Sequence, residues 1–324
     1  LNYPVDSPTG GGQFEASQKP RVDAVVVAYQ SSPTIQRCVT ELLKIPGLGH
    51  VVVVDHGNDG AGVAAEGLGA TALYDPENPG FGVGQNTGIE LTSAPYVLMC
   101  NPDAVVRPDA IADGLLMLED RRDLAAVQGV VRERDRDLIQ RSYWQSVGAI
   151  HLWMRILRIG AIFRMRPLRS LGVSRRHLLP DGPQALREVE ALAAITLLVR
   201  REAFDEVGGF DPGFFLYWED LDLCRRFRRA GWRLCVTPEI WAVHIGGASS
   251  GDVIEREHQW WRGCMRYTAL WYPTGQWVAA LGAATVQWLT LSAARPRHAR
   301  SFWRDLIAVP KRVRRGVKEQ PIGS

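Results

Sequence analysis

Two acidic positions set 116 residues apart carry most of the chemistry open to this chain. Asn101, Pro102 and Asp103 follow directly on the apolar run Tyr96 to Cys100, and Trp218, Glu219, Asp220, Leu221 and Asp222 form a second acidic cluster. A carboxylate at the exit of a buried strand is well placed to hold a divalent cation, which stabilises a departing diphosphate as a Lewis acid. An acidic pair at a helix start can take a proton from an attacking hydroxyl. The same acids would also complement the helix dipole and cap it, and an Asp after Pro also suits a strand-to-loop turn. Metal-assisted group transfer is the chemistry that uses both clusters.

Further candidates lie between and beyond them. Phe214, Phe215, Tyr217 and Trp218 lead into the acidic cluster as aromatic surfaces that could receive a sugar ring or bury a carboxylate. Asn78 to Gly88 reads Asn, Pro, Gly, Phe, Gly, Val, Gly, Gln, Asn, Thr, Gly, a glycine-rich loop leading into a helix, where backbone N–H groups can approach an anionic or sugar ligand. Its glycine spacing and its place after the third strand differ from a dinucleotide fingerprint. His244 closes an apolar run before Gly246 and Gly247, which leaves its imidazole accessible as a metal ligand or phosphate donor.

These residues need a scaffold, and the apolar patterning predicts one. Asp23 to Ala28 reads as a strand, followed by Ser32 and Pro33 at helix-start positions and Ile35, Val39, Leu42 and Leu43 at helical spacing. His50 to Val54, with four successive valines, is the continuous run expected of a strand covered on both faces. It ends in the turn-forming cluster Asp55 to Gly60. Ala70 to Tyr74 and Tyr96 to Cys100 are further strands, with helices expected near Gly84 to Leu91 and Pro108 to Asp120. Glu190 to Val199 reads as a strand or a buried helix, and Trp232 to Val236 and Ile240 to His244 as two short strands. Strands alternating with helices predict an α/β fold with a doubly wound, mostly parallel sheet, whose ligands sit at the carboxyl ends of the strands. Asp55 and Asp103 both fall at such ends.

Composition narrows the partners. With 324 residues and 46% hydrophobic content the chain can bury a full core. Residues 1–120 hold 5 Lys/Arg against 15 Asp/Glu, and the remainder 33 against 20, so the two halves meet different partners. The acidic half repels nucleic acid, and no nucleic-acid partner is expected; the basic half attracts anionic lipid or diphosphate. Five widely spaced cysteines argue against a zinc site or a disulfide framework and suit a reducing cytoplasm. Residues 1–20 read as a flexible leader and not as a secretory signal. From Leu138 to Pro180 no acid occurs, while eight arginines are interleaved with Trp144, Trp153 and other apolar residues, a pattern that suits a membrane interface. Tyr267 to Ala294 carries no charge and is long enough to span a bilayer, but is interrupted by Thr, Gln, Gly and Pro.

Taken in order, Val51 to Gly60, Asn78 to Gly88, Asn101 to Asp103 and Gly208 to Arg225 resemble the family 2 inverting glycosyltransferases, in particular their bacterial rhamnosyltransferase-like branch. The resemblance runs from about Val22 to Ser250. It implies a GT-A fold over residues 21–250, with a nucleotide-sugar half at about 21–130 and an acceptor half at about 131–250, followed by a helical, basic, aromatic extension at 251–324. It implies Asp220 as catalytic base, Glu219 in acceptor or sugar positioning, and Asp103 with His244 as metal or diphosphate contacts to Mg²⁺ or Mn²⁺. Candidate substrate contacts are Tyr29, Asp55, Asn78, Gly80, Gly82, Asn86, Trp218 and Arg225. The implied reaction is a single displacement from a dTDP- or UDP-sugar, L-rhamnose by resemblance, onto a hydroxyl of a polyprenyl diphosphate-linked or glycan acceptor in cell-wall or surface-polysaccharide synthesis. A cytoplasmic protein peripheral at the inner face of the plasma membrane is expected. Two departures stand out: His56 occupies a position usually held by Asn, and Asn101 replaces the first acid of the metal motif.

Two other classes share parts of this pattern. A sugar nucleotidyltransferase would place a basic, glycine-rich loop straight after the first strand, where this chain reads Ala28, Tyr29, Gln30, Ser31, Ser32. A noncatalytic sugar-nucleotide-binding protein would keep the binding residues but have no turnover to lose when Asp220 is replaced.

Overall fold

In a computed structural model the described residues are 20–133, 138–140, 142–144, 183–245, 253–273, 275–278, 280–282 and 285. The expected leader, most of the arginine-rich stretch at 138–180 and the tail beyond 285 lie outside them. Strands β1 (Val22–Ala28), β2 (Leu48–Asp55), β3 (Thr71–Tyr74) and β4 (Tyr96–Cys100) alternate with helices α1 (Ser32–Leu42), α2 (Ala61–Glu66) and α3 (Phe81–Glu90). They pair in the order β3-β2-β1-β4, all parallel. The valine run at residues 51–54 follows directly from this arrangement. Val25, Val27, Val52, Val54, Val97 and Met99 point to one face, and Ala24, Val26, Val51, Val53, Leu98 and Cys100 to the other. Both faces are covered, so alternation shows as direction and not as polarity.

The second half completes the sheet with mixed directions. β5 (Ala104–Val106), α4 (Pro108–Asp120) and β6 (Leu124–Glu133) are followed by short strands β7 (Leu138–Gln140), β8 (Tyr143–Trp144), β9 (Arg187–Glu188) and β10 (Ala191–Leu192). β11 (Thr196–Arg200) then inserts antiparallel between β4 and β6, which settles the expected strand-or-helix at 190–199 as β10 and β11. After α5 (Arg201–Glu206) and α6 (Glu219–Arg229) comes β12 (Arg233–His244), a single strand where two were expected. Its register on β6 shifts between Val236 and Ile240, at the segment that contains Pro238, a residue that cannot donate to the ladder. α7 (Val253–Trp271) follows.

Helices α1, α2 and α4 cover one face through residues such as Ile35, Val39, Leu42, Ala65, Ile111 and Leu115. α3, α5, α6 and α7 cover the other. Trp261, Cys264, Met265 and Tyr267 of α7 lie in the same buried cluster as Leu223 and Phe227 of α6. Among the described residues no helix is long and apolar enough to cross a membrane. All five cysteines are free and buried. Asp23, inside the apolar run of β1, is fully buried and accepts backbone N–H groups from His50 (2.8 Å), Ser93 (2.9 Å) and Ala94 (2.8 Å), tying together the loops at the amino ends of the strands.

Candidate active site

Asp103 and His244 meet. β5, directly after Asp103, pairs antiparallel with the end of β12, with Ala104 opposite His244. This register brings His244 Nε2 to 2.9 Å from Asp103 Oδ1, and the backbone N–H of Ile245 donates to the Asp103 carbonyl at 2.9 Å. Asp103 is buried and His244 half-buried. One carboxylate and one imidazole, with further positions left to water and phosphate oxygens, fit a hard divalent cation that is bound largely through its substrate. Among the described residues no group of three or more His, Cys, Asp or Glu gathers to hold a metal by protein ligands alone.

The turn after β2 is knitted by acids. Asp55 is buried, with Oδ1 accepting from Gly57 N–H and Oδ2 from Gly62 N–H, each at 2.8 Å. Asp59 Oδ2 accepts from Ser32 N–H at 2.8 Å, joining this turn to the start of α1. His56, in the position usually held by Asn, is buried and donates from Nδ1 to the Asp75 carbonyl at 2.7 Å. Each Asp55 oxygen thus already holds one backbone bond, and any donor contact there uses its remaining lone pairs. Tyr29, after β1, is exposed, and Asn78 is half-buried in a left-handed conformation at φ 47°.

The glycine-rich segment serves close approach between protein surfaces. Residues 81–90 are helical, and a Cβ at Gly84 or Gly88 would run into His56 and Val27 or into Val25 and Val54, so these glycines let α3 settle on β1 and β2. Gly80, at φ 112°, lies against the backbone of Phe215, and Gly82 against the Phe210 ring. Phe81 N–H donates to the Phe215 carbonyl at 2.9 Å. Asn86 grips Phe210 twice, its Nδ2 donating to the carbonyl at 2.9 Å and its Oδ1 accepting from the N–H at 2.8 Å. Gly80, Gly82 and Asn86 therefore dock the acidic loop onto the carboxyl edge of the sheet.

The acidic cluster sits on a strained corner. Tyr217 (φ 68°) and Trp218 (φ 76°) are consecutive non-glycine residues in left-handed conformations, each costing about 1–3 kcal/mol. α7 holds them in place. Trp218 is buried against Trp260 (ring centroids 5.2 Å apart) and Tyr267 (5.4 Å), and Gly263 allows α7 to reach the Tyr217 carbonyl, where a Cβ would collide. Arg266 clamps Asp211 with Nη2 at 2.7 Å and Nε at 3.0 Å. Asp222 accepts from Trp271 Nε1 and from Arg226 Nε, both at 2.8 Å. Nothing in the sequence reading marked Arg266, Gly263 or Trp271 as partners of this loop; the one available signal was Asp211 within Gly-Gly-Phe-Asp.

Within the corner the two leading acids differ. Glu219 is buried, its Oε2 has no hydrogen-bond partner, and burial first, then the neighbouring Asp220, push its carboxyl well above the usual range. Asp220 is half-buried and accepts from Leu221 N–H at 2.8 Å. The sequence expectation placed Arg225 with the substrate contacts. It lies beyond the first turn of α6, in a cage of Tyr267, Trp271 and Tyr272 rings.

The mixed, mostly parallel sheet flanked by helices on both faces is the GT-A arrangement. The chain belongs to the family described as "Glycosyltransferase like family 2", whose model matches residues 20–263. It is a transferase. It is 28% identical to the N-acetylglucosaminyl-diphospho-decaprenol L-rhamnosyltransferase of Mycobacterium tuberculosis, over 75% of this chain and 87% of that protein. It is 25% identical to the rhamnosyltransferase WbbL of Escherichia coli K12, over 51% and 58%. Among solved structures, the mannosyltransferase PcManGT from Pyrobaculum calidifontis, in complex with GDP-Man and Mn²⁺, superposes with a TM-score of 0.53 at 17% identity, over 92% of this chain and 88% of that one. GalNAc-T7, solved with UDP, GalNAc and Mn²⁺, gives 0.55 at 14% identity, over 79% and 49%.

Proposed function

We propose that this protein moves a sugar, L-rhamnose, from a nucleoside diphosphate donor to a hydroxyl of a lipid-linked glycan acceptor in cell-wall or surface-polysaccharide synthesis, with inversion, at the inner face of the plasma membrane. The observation that carries the reading is the meeting of Asp103 and His244, 141 residues apart in the chain, at 2.9 Å on the edge to which the acidic loop is docked. The names of the relatives support the sugar and the lipid-linked acceptor. The donor lies along the carboxyl ends of β1 to β4, reached by Tyr29, Asp55 and Asn78. Asp103 and His244 are the groups that would hold Mg²⁺ or Mn²⁺. Such an ion, when bound, neutralises charge on the leaving diphosphate.

Asp220 takes the proton of the acceptor hydroxyl as its oxygen attacks the anomeric carbon. Glu219, whose carboxyl is pushed well above its usual range by burial and by Asp220, positions the acceptor beside the base. Trp218 and its aromatic neighbours wall off water. No residue need form a covalent intermediate, hence inversion.

Turnover of dTDP-rhamnose on an N-acetylglucosamine diphosphate lipid tests the reading. Asp220→Asn should lower kcat by about 10²–10⁴-fold while donor binding, followed by thermal shift, persists. Asp103→Asn should remove the dependence of donor binding on Mn²⁺. Full turnover in Asp220→Asn would refute the assignment of the base, and donor binding without any turnover in the wild type would favour a noncatalytic binding protein.

A further inference from the structure

α6 has a second working face. Beyond its acidic first turn, Leu221, Arg225, Arg228 and Arg229 line a cavity of about 370 Å³, closed on other sides by Tyr267, Tyr272 and Glu190. The positions 221, 225 and 228 follow one side of a helix, at the i, i+4, i+7 spacing. Arg225 is stacked on Trp271 (5.0 Å) and Tyr272 (5.1 Å), and Arg229 on Trp271 (4.5 Å). Stacking orients these guanidiniums by their faces; Arg225 also donates to the Tyr267 hydroxyl at 3.4 Å and hydrogen-bonds Tyr272, and the N–H groups left over are those that can meet phosphate oxygens. Of the residues lining the cavity, Glu190 is the one carboxylate, 3.3 Å from Arg228, so three cations face a single anion. Building three guanidiniums into an aromatic-walled recess is a costly way to make a solvated helix face, and an anion resolves their mutual repulsion.

We propose that this recess binds the diphosphate of the acceptor. The inference rests on the transferase reading and extends it to the partner substrate. Arg225 and Arg229 follow Asp220 by five and nine residues, about 7–14 Å along the helix axis and, at about 100° per residue, about 140–180° around it. An acceptor with its sugar at Asp220 and its diphosphate in the recess therefore bends around the first turns of α6. The aromatic rings of Tyr267, Trp271 and Tyr272 then meet the start of the lipid chain, and α7 forms the wall on which it leaves the protein.

The test is binding, which needs no turnover. Farnesyl diphosphate, farnesol, inorganic pyrophosphate and phosphatidylglycerol vesicles are titrated against the full chain by tryptophan fluorescence and calorimetry, alongside a dTDP-sugar. Farnesyl diphosphate should bind best, and the double variant Arg228→Gln/Arg229→Gln should weaken it by about tenfold or more, with farnesol and dTDP-sugar affinity unchanged. The double variant to Lys should recover part of the loss, because charge returns without the fork. An unchanged affinity for farnesyl diphosphate would overturn the proposal. So would an equal loss for the dTDP-sugar, which would make the recess part of the donor site, or a loss confined to the vesicles, which would make it a membrane patch. If these results hold while Asp220→Asn keeps its turnover, the diphosphate site stands and the assignment of the base falls.

Discussion

The carboxyl edge of β1 to β4 and the corner at Tyr217 to Asp222 both present acids, yet they are positioned by opposite means. Asp55 and Asp103 stand where strands stop, and the ladder that stops there is regular, buried on both faces and paired in parallel. Glu219 and Asp220 stand on an irregular corner with two strained residues, held by side chains from α3 and α7 that cross the fold to reach it. The lesson is that one region inherits its geometry from secondary structure, whereas the other depends on a handful of specific clamps. Damage to the strands behind the first should therefore cost stability and spare turnover, and damage to the clamps of the second should cost turnover first.

The largest effect expected is at the junction between them. Gly80→Ala places a Cβ against the Phe215 backbone at a φ of 112°, and should destabilise the protein by about 3 kcal/mol or more and abolish turnover, read by denaturant midpoint and by activity of the soluble fraction. Leu98→Ala, in the middle of β4, should cost about 3 kcal/mol, yet leave kcat per folded molecule intact. A fall in kcat of that variant would break the contrast. Asn86→Ala strands the N–H and carbonyl of Phe210 and should cost about 2 kcal/mol, with kcat lowered more than the donor KM is raised. Arg266→Met removes a partly exposed clamp on Asp211 and should cost no more than about 1 kcal/mol while still lowering kcat.

The smallest effect runs the other way and depends on pH. Because Glu219 holds its proton above its ordinary value of 4.5, the folded chain keeps a proton that the unfolded chain releases, and stability falls as pH rises past that value until the folded group itself ionises. Glu219→Gln removes this loss. Its melting temperature should match the wild type near pH 4 and exceed it once the pH has risen past 4.5; curves that coincide throughout would show that the side chain is not buried as described.

The parts of the fold visible in the sequence are those whose causes are local. Val51 to Val54 announces a strand covered on both sides because no other environment takes four successive valines, and Pro108 at a helix start marks α4 within a residue. The segment at 190–199 stayed ambiguous because a short apolar run suits a buried strand and a buried helix alike, and pairing with β4 and β6 decides between them. β12 reads from the sequence as two short strands, Trp232 to Val236 and Ile240 to His244; the ladder with β6 carries the chain across Pro238 with a register shift and makes them one. The glycines at 80–88 permit close approach without saying to what, and the structure shows α3 meeting β1, β2 and the acidic loop through them. Arg225 reads from the sequence as a substrate contact, and the structure sets it in the aromatic cage of α7, a placement that depends on α7 packing against α6.

Sequence alone determined which residues could do chemistry and on which strand ends most of them would stand, because side-chain type and the period of apolar residues are properties of short stretches. The tertiary structure decided which of them work together. Asp103 finds His244 through a register between β5 and β12, and the acidic corner is held in place by α3 and α7. Such partnerships depend on contacts between residues a hundred or more positions apart, whose relative placement is set by the packing of the whole sheet and leaves no trace in local pattern.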